Sequence, residues 1–161
     1  MQLYLLRHGD ALDAGYTDAH RPLSPLGEEQ SAAVASALRS LSILPQLIIS
    51  SPLLRARQMA QIVHQELRSS RCISSEYLAP GSDERQLFHY LNELKKPSAV
   101  LVGHEPQLRE VASLLCTGTK TLRLELRKAS IVAIASSLPV GPGSGTLSFL
   151  LPYEHMRALA K

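Results

Sequence analysis

Apolar residues in this chain come in short dense runs, separated by longer stretches in which they recur every three or four positions. Leu3, Tyr4, Leu5 and Leu6 stand together in residues 2–6, residues 47–49 read Leu-Ile-Ile, and residues 99–102 read Ala-Val-Leu-Val. Runs this short and continuous predict strands buried on both faces. Between them the spacing is helical. Ser24 followed by Pro25 offers an N-cap and a first-turn proline, and Leu26, Val34, Leu38 and Leu41 follow, with small Ala32, Ala33 and Ala35 between them. Ser50-Ser51-Pro52 repeats that signal and predicts a helix running to about residue 67. Asp83 predicts the cap of another helix, with Leu87, Tyr90, Leu91 and Leu94 on one face. A further helix, to about Cys116, follows the break at Gly103-His104-Glu105-Pro106. Two strand-like runs, residues 130–135 and 146–151, flank a Gly/Pro-rich stretch at 139–145 and predict a hairpin. Residues 152–161 predict a short terminal helix.

This alternation of strand and helix predicts an α/β fold: a three-layer α/β/α sandwich with a mostly parallel central sheet, to which the hairpin adds one antiparallel strand. The 161 residues fit a single domain over positions 1–161, long enough to bury a substantial core. Hydrophobic residues make 45% and charged residues 19%, the balance of an ordinary globular protein. The net charge is +3, but the basic residues are scattered and form no block, so nucleic acid is not an expected partner. An anionic substrate fits the same charge. Cys72 and Cys116 are far apart, match no metal spacing and read as small core residues. No signal-peptide pattern and no long apolar run appear, so no membrane association and a cytoplasmic location are expected.

Ligands of open α/β sheets gather outside the carboxyl ends of the strands. The residues following each apolar run are therefore the place to look for chemistry. Arg7, His8, Gly9 and Asp10 follow the first run. Ser50, Ser51 and, one turn further on, Arg55 and Arg57 follow the second. Gly103, His104 and Glu105 follow the run at 99–102. Each has an ordinary reading alone: a polar loop histidine, a solvated helix arginine, a capping serine. Together they place two histidines and several arginines at one sheet edge, which suits a phosphoryl group. Arginine forks match phosphate oxygens, helix N-termini add backbone donors, and histidine nitrogen is a known covalent nucleophile. No Walker loop occurs. His64, His89 and His155 read as surface or packing residues and His20 as a loop residue. Metal-ligand spacings are absent, so no metal or other cofactor is expected.

Three motifs carry a resemblance. Leu6-Arg7-His8-Gly9, then Ser51-Pro52-Leu53-Leu54-Arg55-Ala56 with Gln58, then Val102-Gly103-His104-Glu105-Pro106, in that order and each after a predicted strand, resemble the histidine phosphatase (phosphoglycerate mutase-like) superfamily over about residues 1–151. Short length, Arg7-His8-Gly9-Asp10-Ala11, Arg21-Pro22-Leu23-Ser24 with Gly27, and Pro80-Gly81 make it most similar to the small bacterial phosphohistidine phosphatases of the SixA type. The resemblance implies that His8 takes the phosphoryl group as a covalent phosphohistidine, and that Arg7, Arg55 and His104 line the phosphate pocket. It adds Arg21 to the substrate-binding set and has Gly9 bring the backbone close to the phosphate. Arg57 matches no motif.

One departure matters. Many superfamily members carry a carboxylic acid after the second motif, but here residues 75–84 are compact, and Asp83 and Glu84 read as a helix cap and first turn. Asp10 and Asp18 remain unassigned as acids. An alkoxide leaves poorly without a proton, whereas phosphorylated imidazole takes one from solvent near neutral pH and leaves as neutral imidazole. The expected substrate is thus a phosphohistidine-containing protein, such as an HPt domain or a phosphocarrier. The alternative is a phosphatase of small phosphomonoesters with the same His8 chemistry. A mutase would need a substrate cap for which the chain has no room. A non-catalytic phosphate-binding domain would not need all four of Arg7, His8, Arg55 and His104. No oligomeric state follows from the sequence.

Overall fold

The computed structural model describes residues 1–68 and 71–159. Its strands are β1 (Gln2–Arg7), β2 (Leu47–Ser50), β3 (Arg71–Ser74), β4 (Ser98–Gly103), β5 (Ile131–Ser136) and β6 (Gly145–Leu151). Its helices are α1 (Pro25–Ser40), α2 (Leu54–Leu67), α3 (Glu84–Leu94), α4 (Gln107–Thr117) and α5 (Tyr153–Leu159). The strands form one sheet in the order β3-β2-β4-β1-β5-β6. β1, β2, β3 and β4 pair in parallel, while β5 is antiparallel to both β1 and β6. One strand thus runs against the rest, as the hairpin predicts.

Side chains alternate across a strand, and the core divides accordingly. Leu3 and Leu5 of β1 point to one face, where Leu87 and Leu91 of α3 pack with Leu108 and Val111 of α4. Leu6 points to the other, among Val34 and Leu38 of α1, Met59 and Val63 of α2, and Met156 of α5. Helices on both faces of a largely parallel sheet make the expected three layers.

Four local features differ from the sequence reading. The buried face of α1 is Gly27, Gln30, Ser31, Val34, Ala35, Ala37 and Leu38. Leu26 and Leu41, expected on it, are 48% and 43% exposed, because small residues on that stripe let α1 settle close to the sheet end. α2 begins at Leu54 rather than at the Ser-Pro signal, since its N-cap, Leu53, makes no side-chain cap and the Ser51 hydroxyl is engaged elsewhere. β3 is a short, half-exposed edge strand, Arg-Cys-Ile-Ser, with no apolar run to announce it. Cys72 and Cys116 are half-buried at the margins of the two core clusters rather than inside them. The terminal helix forms as α5, and the last two residues of that expectation lie outside the described residues. The caps Ser24 and Asp83 are as predicted, accepting from Gly27 N and Arg85 N.

No helix among the described residues is long and apolar enough to cross a membrane.

Candidate functional site

The loop leaving β1 passes almost against the backbone of α1. A Cβ on Gly27 would lie 2.0 Å from the Asp10 carbonyl oxygen, and one on Gly9 would lie 2.9 Å from the Gly27 carbonyl oxygen. Both positions therefore need glycine for backbone packing. For Gly9 the close approach that the structure shows is to α1. The same loop is held by Asp10. Its amide donates to Gln30 Oε1, its Oδ2 accepts from Ser24 Oγ at 2.6 Å, and its Oδ1 accepts from Lys128 Nζ at 2.7 Å. The hydrogen bonds from Lys128 and Ser24 hold the Asp10 carboxyl below the usual carboxylate range. Asp10 is thus a committed anion that clamps the loop.

This packing fixes His8, which is 7% exposed. Its Nδ1 lies 2.7 Å from the Gly9 carbonyl oxygen, which can only accept, so Nδ1 carries the ring proton. Nε2 is left with its lone pair, and Arg55 Nε donates to it at 3.2 Å. The environment enforces neutrality. Burial pushes the pKa of His8 down from 6.5 to about 4, and the charges of Arg55, Arg7 and Lys128 add to that against the opposing Gly9 hydrogen bond.

His104 follows β4 directly and is 4% exposed. The two imidazole rings are 5.0 Å apart and tilted by 55°. His104 Nε2 pairs with Ser51 Oγ at 2.7 Å, and Ser51 Oγ also accepts from Leu53 N. His104 Nδ1 is buried and has no hydrogen-bond partner among the described residues. Burial, followed by His8 and Arg55, lowers the pKa of His104 to about 3, while Asp18 acts in the opposite direction.

The arginines come from three elements. Arg7 ends β1, and its Nη1 donates to the Leu126 carbonyl at 2.9 Å, leaving a buried Nε without a partner among the described residues. Arg55, in the first turn of α2, is 5% exposed. Its Nη1 donates to the Asp18 carbonyl at 2.6 Å, and its Nη2 lies 3.2 Å from Asp18 Oδ1. Arg21 behaves differently from expectation. Its guanidinium bonds the Leu12 carbonyl, Asp18 and Asp13, so it braces the loop at residues 12–20 and reaches the site only through Asp18. Arg57 is exposed on α2, and His20 is exposed and bonded to Thr17.

His8, Arg7, Arg55 and His104 thus converge, as the sequence predicts. Four groups at the site had no role in that reading. Ser51 read as a cap, Leu126 contributes only a carbonyl, Asp18 was unassigned, and Lys128 precedes β5. Lys128 was findable in principle, because β5 is reversed and its start lies at the edge where the parallel strands end. Chemically, the arrangement combines one unprotonated ring nitrogen on His8 with a buried Arg7 Nε and His104 Nδ1 that have no partner among the described residues, and with the Arg55 guanidinium beside them. That is a constellation for an oxyanion attacked by nitrogen.

Comparison with known proteins agrees. A profile of the histidine phosphatase superfamily (branch 1) matches residues 3–79. An uncharacterized protein of Picosynechococcus is 38% identical over 141 residues, covering 84% of this chain and 86% of that protein. The phosphohistidine phosphatase SixA of Escherichia coli K12 is 31% identical over 123 residues, covering 73% of this chain and 76% of SixA. A solved structure of the protein histidine phosphatase SixA complexed with tungstate superposes with a TM-score of 0.86 at 25% identity, over 95% of this chain and 97% of that one. On its identity and coverage with SixA and its match to the superfamily profile, the chain belongs to the histidine phosphatase superfamily and is a phosphatase whose fold is similar to that of SixA.

Proposed function

We propose that the chain is a phosphohistidine phosphatase, dephosphorylating a histidine-phosphorylated signalling or phosphotransfer protein through a covalent intermediate on His8. The observation that carries this reading is the fixed tautomer of His8: Nδ1 held by the Gly9 carbonyl, Nε2 unprotonated and accepting from Arg55 Nε. Similarity to SixA supports the substrate class.

In this scheme His8 Nε2 attacks phosphorus in line. The bond from phosphorus to the substrate imidazole breaks, and its electron pair stays on the departing nitrogen. With a proton already on the other ring nitrogen, the leaving group is neutral imidazole. Water then attacks the phosphoryl group on His8 and releases phosphate. Arg7, Arg55 and His104 supply donors to the equatorial oxygens, where charge spreads in the transition state. Arg21 contributes by holding Asp18. Gly9 contributes through the carbonyl that orients His8. The scheme needs no metal or other cofactor.

It also needs no carboxylic acid. Asp10 is a committed anion, and between β3 and α3 the chain makes only a single 3₁₀ turn at Glu76–Leu78. Such a compact rim leaves space for the folded surface of a protein substrate, such as an HPt domain or a phosphocarrier in the cytoplasm. The test is turnover on a histidine-phosphorylated HPt domain against turnover on a panel of sugar and nucleoside monophosphates. The proposal expects a clear preference for the phosphoprotein. Faster monoester hydrolysis would move the assignment to a small-molecule phosphatase.

A further inference from the structure

We propose that Asp18 is a specificity-determining residue: its carboxylate accepts the N–H of the second ring nitrogen of a phosphorylated imidazole and thereby favours phosphohistidine over phosphate esters. This inference rests on the phosphohistidine reading above.

The argument begins with Arg55. Its guanidinium is planar and spans two groups. Nε donates to His8 Nε2 at 3.2 Å, while Nη1 and Nη2 reach the Asp18 carbonyl, at 2.6 Å, and the Asp18 carboxylate. One end of the plane therefore marks the nucleophile and the other marks Asp18. A phosphoryl group bound along this edge and attacked by Nε2 directs its leaving group away from His8, toward the end where Asp18 stands. The Asp18 side chain is 64% exposed, yet its charge is felt at buried His104. The bond from Arg55 to the Asp18 main chain anchors the loop, so the carboxylate can turn to a substrate without the loop letting go.

The chemistry discriminates by leaving group. Protonated phosphohistidine presents an N–H, and a carboxylate that accepts it raises the fraction of substrate carrying that proton. When the P–N bond breaks, the electron pair goes to the departing nitrogen, and neutral imidazole leaves with its proton on the other. A phosphate ester has no such donor, and its leaving oxygen gains negative charge facing the same carboxylate. Asp18 is suited to remain anionic. Burial raises its pKa, but the charges and hydrogen bonds of Arg55 and Arg21 outweigh that and leave it below the usual carboxylate range. Asp18 is paired with Arg55 from α2 and Arg21 from its own loop, where Asp13 shares Arg21 and His20 closes the same turn, and its charge reaches His104 at the end of β4.

The experiment compares the full chain with its Asp18→Asn and Asp18→Glu variants on free phosphohistidine and on p-nitrophenyl phosphate. Asp18→Asn should lose about tenfold in kcat/KM on phosphohistidine, the scale of one charge-assisted hydrogen bond, and gain roughly twofold on the ester. The alkaline limb of its kcat–pH profile on phosphohistidine, which reports the bound substrate, should move about one unit to lower pH. Asp18→Glu should recover part of the phosphohistidine rate. An equal change on both substrates, with no movement of that limb, would overturn the inference and make Asp18 a brace for Arg55 alone. A parent protein that hydrolyses p-nitrophenyl phosphate but not phosphohistidine would overturn the underlying function, and this inference with it.

Discussion

β1 and β4 lie side by side in parallel, with Arg7 in register with Gly103, and each is followed at once by a buried histidine. The two imidazoles are nevertheless fixed in opposite senses. At the end of β1 a backbone carbonyl takes Nδ1 and Nε2 faces the site. At the end of β4 a serine hydroxyl takes Nε2, and Nδ1 is the nitrogen left without a partner among the described residues. A carbonyl can only accept, so it dictates the tautomer of His8. A hydroxyl can donate or accept, so it positions His104 while leaving its proton free to suit the anion. One strand end is thereby built for a nucleophile and the other for a binder.

Breaking this pairing should give graded effects. Removing the nucleophile, in His8→Ala, should cost roughly ten-thousandfold in kcat or more, as losses of covalent nucleophiles do. His104→Ala should cost about a hundredfold to a thousandfold, the scale of one transition-state donor. Equal losses at the two positions would erase the proposed difference between them.

The pH dependence sharpens the account of His8. With its pKa near 4, kcat/KM on a substrate that does not titrate in this range should hold level on the acid side to about pH 5 and fall only as His8 is protonated below that. An acid limb at 6.5 would mean that the ring is not desolvated as described. Stability should follow the same sign. As pH drops from 6.5 toward 4 the unfolded chain binds a proton that the folded chain refuses, so the melting temperature should decline across that window. His104, with a pKa near 3, extends the window downward.

The smallest effect belongs to Ser51. Ser51→Ala removes the partner of His104 Nε2 and the acceptor for Leu53 N but no group at the reacting atoms. Steady-state kinetics should show a loss of about threefold to tenfold, carried through a less ordered His104. A loss as large as that of His104→Ala would assign Ser51 to the chemistry itself.

Much of this was legible because strand ends carry the site. The buried runs at residues 2–6, 47–49 and 99–102 are continuous enough to read, and the charged residues after them stand out against apolar neighbours. Ser24 and Asp83 announce their helices by the chemistry of capping. What stayed hidden is non-local. β3 is an edge strand without a continuous apolar signature. The face of α1 is chosen by Gly27 and Gln30 fitting against the β1 loop, so the exposure of Leu26 could not be read from spacing. The carbonyl of Leu126 has no residue-type signal at all. Lys128 and Asp10 are 118 positions apart, and only the reversal of β5 brings them together.

The central claim is that His8 Nε2 becomes phosphorylated. The most direct measurement is rapid quenching of the enzyme during turnover of a 32P-labelled phosphohistidine substrate, with the label then located by peptide mapping. The account predicts an acid-labile, base-stable phosphoryl group on His8, at Nε2, that is absent from His8→Ala. Label on another residue, or His8→Ala retaining full phosphatase activity, would contradict it.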